Sequence, residues 1–149
     1  VIDDLYSRRI LKLAAELPRS GRLAAPGGTA EKVSKLCGSR AIVDVVVEGG
    51  VVTDYAQDVQ ACALGQAVAS IVGEYAVGAT VAELEQARDA FRAMLRSGGP
   101  APTGRFAELD VMAAVKDYPA RHASSLVAIE AAAEAARTAH ERTSTADAA

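Results

Sequence analysis

Ala41-Ile42-Val43-Asp44-Val45-Val46-Val47-Glu48-Gly49-Gly50-Val51-Val52-Thr53-Asp54-Tyr55-Ala56-Gln57-Asp58-Val59-Gln60-Ala61 decides how the chain folds. The run to Glu48 is dominated by Val and Ile and reads as a strand. Gly49-Gly50 tolerates the positive φ angles of a tight two-residue turn. Val51 to Ala61 returns as the partner strand. Val52, Asp54, Ala56 and Asp58 alternate with Val51, Thr53, Tyr55, Gln57 and Val59, so one face is partly polar. The chain's two cysteines flank this hairpin. Cys37 precedes it, in Leu36-Cys37-Gly38-Ser39-Arg40. Cys62 follows it, in Gln60-Ala61-Cys62-Ala63-Leu64-Gly65-Gln66-Ala67. Antiparallel pairing therefore brings two thiols that are distant in sequence to one end of a small sheet.

Downstream of Cys62 the pattern turns helical. Ala63 to Val72 is small and apolar, with Ala67, Ser70 and Ile71 at helical spacing. Cys62 then stands at a helix N-terminus, where orphan N–H groups and the helix dipole favour a thiolate. A buried, inert cysteine is the competing reading. Thr80-Val81-Ala82-Glu83 has the form of a capping box. It opens an amphipathic helix with Leu84, Ala87, Phe91, Met94 and Leu95 on one side, stopped near Arg96 by Gly98-Gly99. Phe106 to Val115 reads as a short helix, carrying Leu109, Val111 and Met112. Asp117-Tyr118-Pro119 breaks the pattern, and Ser124 or Ser125 begins a final alanine-rich helix to about Arg142. The polar segment 143–149 reads as a frayed tail.

Upstream, Asp3 or Asp4 caps a first helix reaching about Glu16, with Leu5, Ile10, Leu13, Ala14 and Leu17 mostly on one face. Pro18 ends it. Arg8, Arg9, Lys12 and Arg19 form either a solvated face or a docking face for an acidic partner. Thr29 to Leu36 fits a short edge strand. The fold class is α+β: a small three-stranded antiparallel sheet packed against about five helices, in one domain spanning residues 1–142.

At 149 residues with half of them hydrophobic, the chain is large enough for a single core. It has no Trp and few other aromatics, so alanine and valine fill the interior and elements pack closely. Scarce aromatics and a net charge of −3 argue against nucleic-acid binding. No apolar run reaches the roughly 18–20 residues of a membrane helix. Val1-Ile2-Asp3-Asp4 lacks the basic-then-apolar order of a signal peptide. Free thiols in a reducing cytoplasm are the expectation.

Two cysteines are too few for a four-thiolate zinc site. There is no Cys-x-x-Cys, no phosphate-binding glycine loop and no His-Glu-x-x-His. Cys37, Ser39, Cys62, His122 and Ser124 remain as soft or polar groups near element ends. A hydrolase built on Ser124 and His122 lacks an orienting acid and an oxyanion element.

With those residues in view, the chain resembles the U-type iron–sulfur cluster assembly scaffolds: IscU, SufU and the N-terminal domain of NifU. Leu36-Cys37-Gly38-Ser39, Ala61-Cys62-Ala63-Leu64-Gly65-Gln66-Ala67 and Tyr118-Pro119-Ala120-Arg121-His122-Ala123-Ser124 carry the resemblance, which runs from about Leu5 to Ala136. The segment from Gly98 to Asp117 resembles the insertion of the SufU branch, and Arg121 matches an arginine of that branch. The resemblance implies a non-enzymatic carrier, a transient [2Fe–2S] cluster or zinc, and a cysteine desulfurase with other assembly proteins as partners. It implies Cys37 and Cys62 as cluster or metal ligands, and Cys37 as the acceptor of persulfide sulfur. Arg40 stands close enough to Cys37 in sequence to lower its pKa.

The chain departs from the family pattern at two ligand positions. Ser39 stands where the family has an aspartate. Ser124, or Ala123 after a one-residue shift, stands where it has a third cysteine. Serine hydroxyls are poor ligands beside thiolates. A zinc site of Cys37, Cys62 and His122 with water is one way to complete the set. A cluster bridging two copies of the chain, each giving two cysteines, is another. A third reading is a degenerate scaffold that keeps the fold as a protein-binding module or a subunit of a larger assembly.

Overall fold

The computed structural model describes residues 6–148, with side chains for residues 6–143. Its sheet has three strands: β1 Gly28–Ser34, β2 Ser39–Glu48 and β3 Val51–Gln60, ordered β1-β2-β3 and antiparallel throughout. Gly49 (φ 61°) and Gly50 (φ 79°) make the tight turn between β2 and β3. A register shift between Val46 and Val47 adds twist to the hairpin. In β2, Ala41, Val43, Val45 and Val47 point to one face and are buried. The alternation fits a sheet covered on that side.

The cover is α4, His122–Ala148, which lies across β1 and β2. Its buried face is mostly alanine: Ala128, Ala131, Ala132, Ala135, Ala136 and Ala139. Small residues let the helix approach closely. Gly28 completes the fit, since a Cβ there would collide with the Ala135 carbonyl and the Ala139 amide. The helix runs past the Arg142 stop expected from sequence. No Gly or Pro follows Arg142 to break it, and as far as Ala148 the expected tail continues the helix.

Helix α1, Arg8–Ala15, packs on α2, Ala63–Tyr75. Asp3 and Asp4, the expected caps of α1, lie outside the described residues. Ser7 caps the helix observed, accepting from the Ile10 N–H at 3.3 Å. Arg9 and Arg19 are paired with Glu108 and Asp54, so part of the basic face is neutralised within the chain. Helix α3, Val81–Ser97, carries the full capping box between Thr80 and Glu83 and ends at Gly98 (φ 68°). The short helix expected over Phe106–Val115 is a 3-10 segment, Gly104–Asp117, with a kink at Phe106. Its buried residues are Phe106, Leu109, Met112 and Val115. A strict three-residue spacing suits three residues per turn and not 3.6.

Between α1 and β1 the chain crosses an irregular loop held by Asp44. This carboxylate is fully buried. It accepts Arg22 Nε at 2.6 Å, Arg22 Nη2 at 3.1 Å, the Leu23 N–H at 3.0 Å and Thr29 Oγ1 at 2.6 Å. Burial alone would raise its pKa, but these donors outweigh it and hold the carboxyl below its ordinary value.

Candidate functional site

The site is assembled where five element ends meet. Cys37 lies on the turn between β1 and β2, with Gly38 at φ 73° donating its N–H to Ser34 O at 2.8 Å. Pairing of Ser34 with Ser39 closes that turn, and pairing of Arg40 with Gln60 brings the end of β3 alongside. Cys62 follows as the N-cap of α2, with no hydrogen bond from its side chain to the helix amides. Gly65, one turn further, packs against the Ser124 carbonyl; a Cβ there would lie 2.9 Å from that oxygen. This close approach sets the first turn of α4 beside the first turn of α2.

Cys37, Gly38, Ser39, Gln60, Ala61 and Cys62 line one open depression. Cys37 is exposed and Cys62 half-buried. Ser34, Ser39 and Ser124 are buried beneath them. Ser39 Oγ lies 3.1 Å from Cys37 Sγ and accepts the Cys62 N–H at 3.4 Å. With that lone pair engaged, the Ser39 proton is free to point at the Cys37 sulfur. Ser34 Oγ lies 3.6 Å from the same sulfur. Cys62 Sγ donates to Ser124 Oγ at 3.7 Å, and the Ser124 hydroxyl also reaches Cys37.

The Cys37 thiol is consequently lowered to about 7, chiefly by the Ser39 hydroxyl, against the opposing effect of burial and with smaller help from Ser34 and Ser124. Ser124 has one proton, for which Cys37 and Arg121 O, at 3.2 Å, compete. Arg40 plays no part in this. Its guanidinium turns to Glu31, at 3.6 Å. Of the two candidates for the third position before α4, the side chain in the cluster is Ser124; Ala123 is exposed.

His122 is not brought into the cluster. It is the first residue of α4, and its Nε2 meets Val115 O at 3.0 Å and Lys116 O at 3.1 Å. Ser124 and Ser125 sit inside the first turn of α4 and do not begin it; both hydroxyls donate back to Arg121 O. Among the described residues no group of three or more His, Cys, Asp or Glu side chains is placed to hold a metal ion. Two thiols and two hydroxyls are a poor set for zinc or an iron–sulfur cluster, both of which want more thiolate or imidazole donors. Ser34 is the member that the sequence motifs did not disclose. Its inward position at the end of β1 follows only once the register with Ser39 is known.

A three-stranded antiparallel sheet with helices on it, and two thiols at one rim over buried serines, make this a small α+β fold with an open thiol-lined depression. The description NifU-like N terminal domain matches residues 5–125. The chain belongs to this family of U-type scaffolds. Among solved structures, it is similar to the N-terminal part of a nitrogen-fixing NifU-like protein from Brucella abortus. That likeness has 48% identity and a TM-score of 0.91, over 94% of this chain and 97% of that one. It also resembles a putative iron–sulfur cluster assembly scaffold protein for the SUF system from Fervidobacterium islandicum AW-1. There the TM-score is 0.82 at 19% identity, over 90% of this chain and 98% of that one, and the likeness speaks to the fold alone. The comparison with curated proteins found no match. No helix among the described residues is long and apolar enough to cross a membrane.

Proposed function

We propose that the chain serves iron–sulfur cluster assembly as a sulfur acceptor in the cytoplasm, with Cys37 taking persulfide sulfur from a cysteine desulfurase. The observation that carries this is the exposed Cys37 thiol, lowered to about 7 by buried hydroxyl donors. The thiolate is the nucleophile in thiol exchange, and a thiol titrating near ambient pH is close to the optimum for attack. The Cys37 thiolate attacks the outer sulfur of the donor's persulfide. A new S–S bond forms on Cys37, the donor's own S–S bond breaks, and the donor cysteine leaves as a thiolate. No net oxidation occurs. The chain acts here as a carrier and not as a turnover enzyme.

Iron or zinc enters this account only through Cys37 and Cys62. A cluster shared by two copies of the chain would have four thiolates, which one copy lacks. The test of the acceptor role is uptake of labelled sulfur from cysteine through a desulfurase. Cys37→Ser is expected to reduce uptake to background; unchanged uptake would overturn the role.

A second reading is favoured by Ser39 and Ser124, which stand at the cluster's two remaining corners. In it the chain is a degenerate scaffold and a protein-binding module or subunit of a larger assembly. Metal analysis after anaerobic purification and cluster reconstitution separates the possibilities. The acceptor reading predicts iron and zinc well below one per chain together with sulfur uptake. The module reading predicts neither metal nor uptake, with a partner still retained. Stoichiometric zinc would contradict both, and one iron per chain would point instead to the cluster shared by two copies.

A further inference from the structure

The acceptor role uses Cys37 and leaves Cys62 without a task. Yet Cys62 is tied to the same centre. Its N–H is held by Ser39, which also touches the Cys37 sulfur at 3.1 Å. Its own sulfur rests on Ser124 Oγ at 3.7 Å, and that hydroxyl also reaches Cys37. Both sulfurs thus share their neighbours, on a depression open to solvent. The Cys37 side is a short turn with Gly38 at φ 73°, and nothing lies within 4 Å of where a Cβ on Gly38 would stand. The Cys62 side is anchored on α2. An exposed thiol on a turn and a half-buried one at a helix N-terminus, both resting on the Ser39 and Ser124 pair, are an arrangement suited to making and breaking an S–S bond.

We infer that Cys62 is a resolving thiol, which expels the sulfur carried on Cys37 as sulfide and closes a Cys37–Cys62 disulfide. This rests on the acceptor reading above. The Cys62 sulfur attacks the inner sulfur of the Cys37 persulfide. The Cys37–Cys62 bond forms and the bond to the outer sulfur breaks. The outer sulfur leaves as HS⁻, taking the electron pair and the proton that Cys62 gives up. The sulfane sulfur is reduced by two electrons and the two cysteine sulfurs are oxidised by the same amount. The chain itself supplies these electrons, and an external dithiol reductant then resets the pair. Ser124 is a positioning residue in this step, holding the Cys62 thiol against the inner sulfur. A site that converts carried sulfur into sulfide needs two thiols and no third ligand, which is what the depression offers.

The test loads the full chain with glutathione persulfide, removes excess donor under anaerobic conditions without reductant, and follows sulfide and the cysteine-containing peptides. The parent is expected to release sulfide in step with a Cys37–Cys62 disulfide. Cys62→Ser and Cys62→Ala are expected to keep the persulfide on Cys37 at least about tenfold longer. Ser124→Ala is expected to slow sulfide release from persulfide already on Cys37, counted per loaded chain so that its effect on the Cys37 thiolate during loading does not enter. Equal persulfide lifetimes in the parent and both Cys62 variants would overturn the inference alone, as would sulfide release without the disulfide. Absence of persulfide from Cys37 in both Cys62 variants would overturn the acceptor reading, and the inference with it.

Discussion

Ser39 does for Cys37 what a carboxylate in its place would undo. A hydroxyl donates to the thiolate and stabilises it; a carboxylate would set a like charge beside it and raise the thiol. The Cys62 N–H takes one Ser39 lone pair at 3.4 Å, and toward a Cys37 thiolate, which has no proton to give, the hydroxyl is the donor. The rate of Cys37 alkylation against pH measures the effect. In the parent the rate should rise with pH through an inflection near 7 and fall away below it, as the thiolate is protonated. Ser39→Ala should move the inflection upward by about one unit, since a hydrogen bond to a charged group contributes about 1.5–3 kcal/mol and one unit is about 1.4 kcal/mol. Ser39→Asp should move it upward as well. An inflection unmoved in both variants would show that Ser39 does not tune the thiol. The hydroxyl's presence was legible in the motif. Its consequence was not, because it depends on which donor faces the sulfur; sequence adjacency pointed to Arg40, whose side chain turns to Glu31.

At the scale of elements, the hairpin was the legible part. Alternation, the Gly49-Gly50 turn and the flanking cysteines predict β2, β3 and the meeting of their outer ends, all of which rest on local residue choice. Two features needed tertiary knowledge. The short helix over Phe106–Val115 was legible as a helix, but its 3-10 form shows only in the three-residue spacing of the buried set. Asp44 read as one polar residue in an apolar strand, though it is the anchor of the loop between α1 and β1. Its partners come from Arg22, Leu23 and Thr29, which no strand pattern connects to it. Asp44→Ala should therefore cost about 3 kcal/mol, as expected for removing one partner of a buried charged network, and be read as a lower urea midpoint. The pH dependence follows from a folded pKa held below the unfolded one. The Asp44 contribution is complete above the ordinary carboxylate range and is lost as pH falls through the folded value. The parent's advantage over Asp44→Ala should accordingly shrink on acidification; a constant difference down to the acid transition would remove the carboxylate from this role.

For the whole molecule, the family and the α+β architecture were legible because motif order and packing composition agree. Cys37, Cys62 and Tyr118-Pro119-Ala120-Arg121 fall in sequence where the fold needs element ends, and the alanine content forecasts a helix pressed on the sheet. His122 shows the limit. Its place just ahead of the last helix, in the motif of the third ligand position, suggested a ligand, but the 3-10 segment supplies two backbone carbonyls that take its Nε2. The site holds two thiols and three buried hydroxyls, and the proposed role rests on them. The measurement that tests this most directly is peptide mapping of Cys62→Ser, in which carried sulfur cannot be resolved, after incubation with a cysteine desulfurase and cysteine. The account predicts one added sulfur atom on the peptide that contains Cys37. That peptide unmodified, beside a demonstrably active desulfurase, would contradict it.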